Sequence, residues 1–224
     1  LSANTASYNT AVGAESLTTN TTGQQNASLG YRSLEANTTG DNSTGIGYYA
    51  LRANTTADNN TAVGAYALVA NTTGAHNSAM GAYALNSNTT ADDNTAVGYD
   101  SLRQSTGEGN TAVGRSALRT NSTGTGCVGI GVSALRVYTG SENVAVGYHA
   151  MYNTSTGGDS VAIGYKALYT NTTGNVMVAI GDKALYANTD GWGNVAVGYQ
   201  ALLDNTSGDG NVAMGYKALN ENTT

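Results

Sequence analysis

One glycine recurs along this chain at an almost constant interval. The glycine that follows each Ala-Val, Ala-Ile or equivalent pair falls at Gly13, Gly30, Gly47, Gly64, Gly81, Gly98, Gly114, Gly131, Gly147, Gly164, Gly181, Gly198 and Gly215. Ten of the twelve steps are 17 residues, and two, Gly98 to Gly114 and Gly131 to Gly147, are 16. A strict period of this length marks a repeat architecture, in which each unit buries its apolar side only against its neighbours. Both ends of the 224-residue chain cut through a repeat, so residues 1–224 read as a single array, an excerpt of a longer fibre.

Positions within a unit are conveniently counted from that marker glycine. Position −1 is always a large aliphatic: Val12, Leu29, Ile46, Val63, Met80 and their equivalents. Position −2 is always small, Ala in most units, Ser28 in one and Gly45 and Gly129 in two. Position +3 is Ala or Ser throughout. Position +4 is Leu in every unit but one, which has Met151. Position +7 is Asn in ten of thirteen units and opens an "NTTG"-like cluster. Period-two alternation around "TAVG" and "AL" predicts short β-strands, and the Gly- and Asn-rich "NTTG" predicts turns with left-handed backbone. The 16-residue steps shorten this cluster to "STG" (105–107) and "YTG" (138–140), as a loop tolerates. Too few helix formers are present for a helical repeat.

The expected fold class is therefore all-β: a parallel β-solenoid of about 13 coils of 17 residues. Stacked at the usual strand spacing, such coils predict a rod of roughly 60 Å. Leu17, Leu34, Leu51, Leu68, Leu85, Leu102, Leu118, Leu135, Leu168, Leu185, Leu202 and Leu219 should then form one buried ladder, with Asn ladders hydrogen-bonding beside it. In "VAIG" two aliphatics share one strand face and Ala takes the other. Apolar residues on both faces imply cover on both, and the simplest second cover is another copy of the chain. Position −3 drifts from Thr (Thr10, Thr44, Thr61, Thr95, Thr111) to Val from Val128 onward. The second half is thus expected to hold its partners more strongly.

The phrases "NVAVGYQAL", "SVAIGYKAL" and "NTAVGYDSL" resemble the head repeats of YadA-like trimeric autotransporter adhesins, and more closely the longer-period β-roll repeats of phage and bacterial tail fibres. The resemblance covers the whole chain. It implies a left-handed parallel β-roll, assembly as a homotrimer along a shared axis, and an extracellular place on a cell surface or virion fibre. It also implies a host-surface glycan or protein receptor as partner.

Composition narrows the alternatives. The chain has 30 Gly, no Pro, no Phe, one Trp and 11% charged residues, too little bulk for a wide core. Its net charge of −6 gives nucleic acid no counter-surface, and no apolar run is long enough to insert into a membrane. Cys127 is the sole cysteine and stands where most repeats carry Asn or Ser. His76 and His149 occupy different phases, so no triad or metal pair is expected, and no cofactor. Asp41, Asp58, Asp92, Asp93 and Asp159 precede strands and read as solvated turn carboxylates rather than a calcium site. Tyrosine follows the marker in seven units, beginning with Tyr31 and Tyr48, as interface lining or as platforms for sugar rings. Sequons at Asn20, Asn37, Asn54, Asn71, Asn88, Asn121 and Asn171 are candidate glycosylation sites if their turns are exposed. The expected function is a structural and adhesive fibre segment without enzymatic activity; an ice-binding solenoid is the alternative, and a fragment of an enzyme-bearing tailspike the remote one.

Overall fold

The structure, a computed structural model, describes residues 6–223. Among the described residues there are strands and turns and no helix. The chain divides into two compact units, Leu1–Gly109 and Asn110–Thr224. The first contains β1 (Thr10–Val12), β2 (Ala27–Leu29), β3 (Thr44–Ile46), β4 (Thr61–Val63), β5 (Ser78–Met80) and β6 (Thr95–Val97). The second contains β7 (Thr111–Val113), β8 (Thr120–Asn121), β9 (Val128–Ile130), β10 (Val137–Tyr138), β11 (Val144–Val146), β12 (Val161–Ile163), β13 (Val178–Ile180), β14 (Val195–Val197) and β15 (Val212–Met214).

Within each unit, every three-residue strand belongs to one coil and pairs in parallel with the strand of the next coil of that unit. In the first unit Thr44 faces Thr61 and Gly45 faces Ala62; in the second Val161 faces Val178 and Ala162 faces Ala179. The unit shortened at "YTG" keeps phase, since Val144 still pairs with Val128 and Ala145 with Gly129. The missing residue is absorbed in the turn, and the β8–β10 pair forms a small second ladder there. This is a β-solenoid with one coil per 17-residue unit.

The strands are short because the marker glycine ends each of them. Its φ lies between +123° and +137°, a region closed to residues with a Cβ. Positions +2 and +4 follow in the left-handed region: Arg32 and Leu34 at 54° and 49°, Lys166 and Leu168 both at 51°. The "AL" segment expected as a strand is therefore a tight turn. A strand would send Ala and Leu to opposite faces, whereas Ala67 and Leu68, or Ala167 and Leu168, are all fully buried. A left-handed leucine costs about 1–2 kcal/mol, and burying its side chain returns about 1.5–3 kcal/mol. Eleven of the twelve ladder leucines are 0% exposed, as is Met151 in the same phase. Leu219, with a neighbouring coil on one side only, is 51% exposed.

The "NTTG" asparagines do not take left-handed backbone. They turn inward, where Asn37 Nδ2 donates to Asn20 Oδ1 at 2.8 Å and to Gly40 O at 3.0 Å. Asn54, Asn71 and Asn88 repeat both bonds one coil further each time. A second ladder stands at position −4. Asn60 Nδ2 donates to Gly74 O at 2.7 Å, and its Oδ1 accepts from the Asn77 amide at 2.9 Å. Backbone bonds run along the stack outside the strands as well, among them Arg32 N to Ala14 O and Thr38 N to Thr55 O. So narrow a core is tenable because nearly every inward polar group is paired. Where the ladder asparagine is replaced by a shorter hydroxyl, Ser105 or Thr154, the buried oxygen has no hydrogen-bond partner. Tyr138 fills the same place differently, donating its hydroxyl to Gly157 O at 2.8 Å and accepting from Asn143 Nδ2. Burial pushes that phenol's pKa up.

Candidate functional site

The strand face settles which way the aliphatics look. Position −2 points inward, with Ala62, Ala79, Ala96, Ala112, Ala145 and Ala162 all at 0% exposure. Position −1 therefore looks outward: Ile46, Ile130, Ile163 and Ile180 are 37–39% exposed, and Met80 46%. The position −3 residues beside them are half-buried along most of their length, Thr44, Thr61 and Thr95 in the first unit and Val128, Val144, Val161, Val178 and Val195 in the second. Each unit thus presents a flat stripe of stacked side chains. From Val128 onward the second unit's stripe carries two aliphatics per coil, and the first unit's usually carries one. Exposed apolar stripes of this kind are rare on isolated soluble chains and mark interaction surfaces.

A second surface begins just past the marker glycine. All nine Lys and Arg residues occupy positions +1, +2 or +5: Arg32, Arg52, Arg103, Arg115, Arg119, Arg136, Lys166, Lys183 and Lys217. Nine of the fifteen Asp and Glu residues stand instead in the turn before a strand, among them Asp41, Asp58, Asp92, Glu142 and Asp209. Where a coil carries a cation, it lies away from these acidic turns, a separation the net charge conceals; the coils of Gly13, Gly64, Gly81, Gly147 and Gly198 carry no Lys or Arg. Counting charges against the 17-residue period would have shown this in the sequence; a count over the whole chain could not.

Tyrosines interleave with these cations. In the first unit Tyr31 stacks on Tyr48 and Tyr66 on Tyr83, with ring centroids 5.5 and 5.2 Å apart. In the second, Tyr152, Tyr169 and Tyr186 stack in turn at 5.5 and 5.2 Å with planes within 7°. Within each stack the facing ring surfaces are spent on one another, which leaves only the outer faces of the end rings. Cations lie against them: Arg52 is 5.0 Å from the Tyr49 centroid and Lys166 5.2 Å from that of Tyr169. The two units differ in how the cations are balanced. In the first, Arg32 pairs with Glu15 at 2.6 Å and Arg52 with Glu35 at 3.0 Å; Arg103 contacts Asp100 at 3.3 Å. In the second, no ion pair joins Arg115, Arg136, Lys166, Lys183 or Lys217 to a carboxylate among the described residues. His149 lies in this band, stacked on Tyr148 at 3.9 Å. Burial lowers its pKa, helped by Lys166, Arg136 and Arg115.

The sequence-flagged residues are placed as follows. The glycosylation candidates Asn20, Asn37, Asn54, Asn71, Asn88, Asn121 and Asn171 are all 0% exposed. Their amide nitrogens are committed to the inner ladder, so the folded solenoid does not present them to a glycan. The error lay in reading "NTTG" as wholly exposed, whereas only its threonines face out. Cys127 is a free, buried thiol in the position −4 ladder, its pKa raised by burial. The turn carboxylates bond along the stack: Asp41 accepts from the Gln24 amide at 2.6 Å and Asp58 from the Asp41 amide at 2.7 Å. His76 lies 3.6 Å from Asp93 on the surface. Among the described residues no cluster of His, Cys, Asp and Glu is arranged to hold a metal ion, and no helix is long and apolar enough to cross a membrane. Two shallow depressions occur, one of about 350 Å3 beside Thr19, Glu35 and Arg52 in the first unit, the other of about 270 Å3 among Lys166, Lys183, Tyr186, Gln200, Leu203 and Asp204 in the second. No family model and no curated protein matches the chain.

Proposed function

We propose that this chain is a structural and adhesive fibre segment, a stiff extracellular β-solenoid that spaces or presents a binding element on a cell surface or virion, with no enzymatic activity of its own. The observation that carries the reading is the outward stripe at positions −1 and −3. Ile163, Ile180 and their stacked neighbours expose apolar surface along a flat ladder, and a second copy of the same ladder matches it coil for coil. The self-association is a homotrimer about a shared axis, as in the adhesin and tail-fibre repeats that the sequence resembles. The continuous coil-to-coil hydrogen bonding supports the mechanical part, since each unit resists bending and proteolysis only as far as its backbone stays paired. Light scattering on the purified chain tests it. The expected mass is three times 22.7 kDa, and a mass of one copy at micromolar concentration contradicts the assembly.

A second reading, ice binding, is favoured by one observation. Thr22, Thr39, Thr56, Thr73 and Thr90 form an exposed row in five successive coils of the first unit. The neighbouring hydroxyls of Thr38, Thr55 and Thr72 are engaged with the next coil's carbonyl, which leaves a single row free. Thermal hysteresis of the purified chain separates the readings: its presence supports ice binding, and its absence with trimer mass supports the fibre.

A further inference from the structure

We infer that the cation-tyrosine band of the second unit binds an acidic polysaccharide, with a uronate-type sugar seated in the depression among Lys166, Lys183, Tyr186, Gln200, Leu203 and Asp204. This goes beyond the fibre reading, because it assigns a ligand to a surface other than the strand face. Three observations lead to it. First, the chain places every one of its nine cations at three positions of the repeat, six of them in the second unit, so basic groups gather along one edge of that unit although the whole chain carries −6. Second, the two units treat those cations differently. Carboxylates of the first unit neutralise Arg32, Arg52 and Arg103, while Lys166 and Lys183 of the second have no carboxylate partner among the described residues. Third, the depression of about 270 Å3 opens between those two lysines, one coil apart, and is walled by Gln200 and Asp204.

The chemistry of these groups selects the ligand class. Two lysines lining one concavity suit a single carboxylate, which each ammonium can bond with charge assistance. Gln200 and Asp204 supply an amide and a carboxylate that bond hydroxyl groups, which a sugar ring presents and a DNA backbone lacks. Tyr169 spends both faces on Tyr152 and Tyr186, so of these three rings it is the outer face of Tyr186 that is left to a ligand in the depression it lines.

The test titrates the full chain with polygalacturonate, with dextran as the neutral polymer and duplex DNA as the dense polyanion. Saturable binding of polygalacturonate is expected, weakening with salt, displaced by free galacturonate and not by galactose. Lys166→Gln with Lys183→Gln should weaken it roughly tenfold or more, as losing a charged hydrogen bond does. Arg32→Gln with Arg52→Gln, in the neutralised unit, should leave it unchanged. Failure of the unmodified chain to bind polygalacturonate, displacement by galactose as readily as by galacturonate, equal binding of dextran or DNA, or equal loss in both variant pairs each overturns the inference. Sedimentation of the same samples keeps the two readings apart: trimer mass without sugar binding sinks this one alone, and sugar binding by single copies sinks the assembly alone.

Discussion

Two glycines of one coil, Gly126 and Gly131, both have positive φ and should nevertheless respond very differently to alanine. Gly126, at φ +64°, has only Glu142 Cγ near its missing Cβ, at 3.8 Å. The same position holds Val176 at φ 58° and Asp159 at φ 54° in other coils, so a side chain fits there. Gly126→Ala then costs only the left-handed preference, about 1 kcal/mol. Gly131, at φ +126°, occupies a region open almost solely to glycine, worth about 1–3 kcal/mol. A Cβ there would stand 2.5 Å from Gly147 O and 2.7 Å from Gly147 C. Relief to ordinary contact needs a shift of roughly 0.7 Å in the adjoining coil, an overpacking that adds about 1–3 kcal/mol. It also strains the bonds from Gly131 N to Val113 O at 2.7 Å and from Gly147 N to Ile130 O at 2.8 Å. The expected total is about 4 kcal/mol, about 3 kcal/mol beyond Gly126→Ala and at least about 1 kcal/mol beyond it. Urea unfolding followed by far-ultraviolet circular dichroism measures both. Equal losses would refute the claim that the marker glycine is required by coil-to-coil approach as well as by its dihedral.

Three further outcomes follow from the same geometry. Asn71→Ala removes donations to Asn54 Oδ1 and Gly74 O and takes from the Asn88 amide one of its two acceptors, so urea unfolding should show a loss of about 2–4 kcal/mol; a loss below about 1 kcal/mol would deny the ladder its energetic role. Cys127 should be silent to a thiol-specific aromatic disulfide in native buffer and react fully in denaturant, and rapid native reaction would contradict its burial. For His149 the folded pKa lies below the unfolded value of about 6.5, so the unfolded chain takes up the proton first. Its contribution is complete above that value and is lost as pH falls toward the folded pKa. His149→Gln should flatten this part of the stability–pH profile, and an unchanged profile would exclude His149 as its source.

Much of the coil was legible from phase alone. Leu68, Ala62 and Val63 recur in strict register, and a solenoid is the arrangement that stacks equal phases on one another. The "AL" turn was not legible. Over four residues, a backbone that alternates between left-handed and ordinary conformations gives the same apolar spacing as a strand, and only the shared burial of Ala67 and Leu68 separates them. Asn71 misled for a related reason: its residue type fits left-handed turns and inner hydrogen-bond ladders equally well. Which strand face points inward was equally open, because Ala and Ile are both apolar. The sections of the coil decided it, since a core shared with a leucine every turn has room for Ala62 and not for Ile46. The cation edge was present in the sequence but appears only when charge is indexed by repeat position. The environment of His149 is only half legible: Tyr148 and Tyr152 stand beside it in the chain, whereas Tyr169 and the cations Lys166, Arg136 and Arg115 come from other coils.

The outward strand face is the claim on which the fibre reading turns, and sedimentation equilibrium of the paired substitution Val161→Lys with Val178→Lys measures it most directly. Both side chains lie in the position −3 row of the second unit, where a buried ammonium without a partner would be strongly unfavourable. Thr156→Lys with Thr173→Lys, on exposed turns of the same coils, controls for added charge. The expected result is a trimer for the unmodified chain and the turn variant and a single copy of 22.7 kDa for the strand variant, with its circular dichroism retained. A single copy in all three, or a trimer that tolerates the strand lysines, would contradict it.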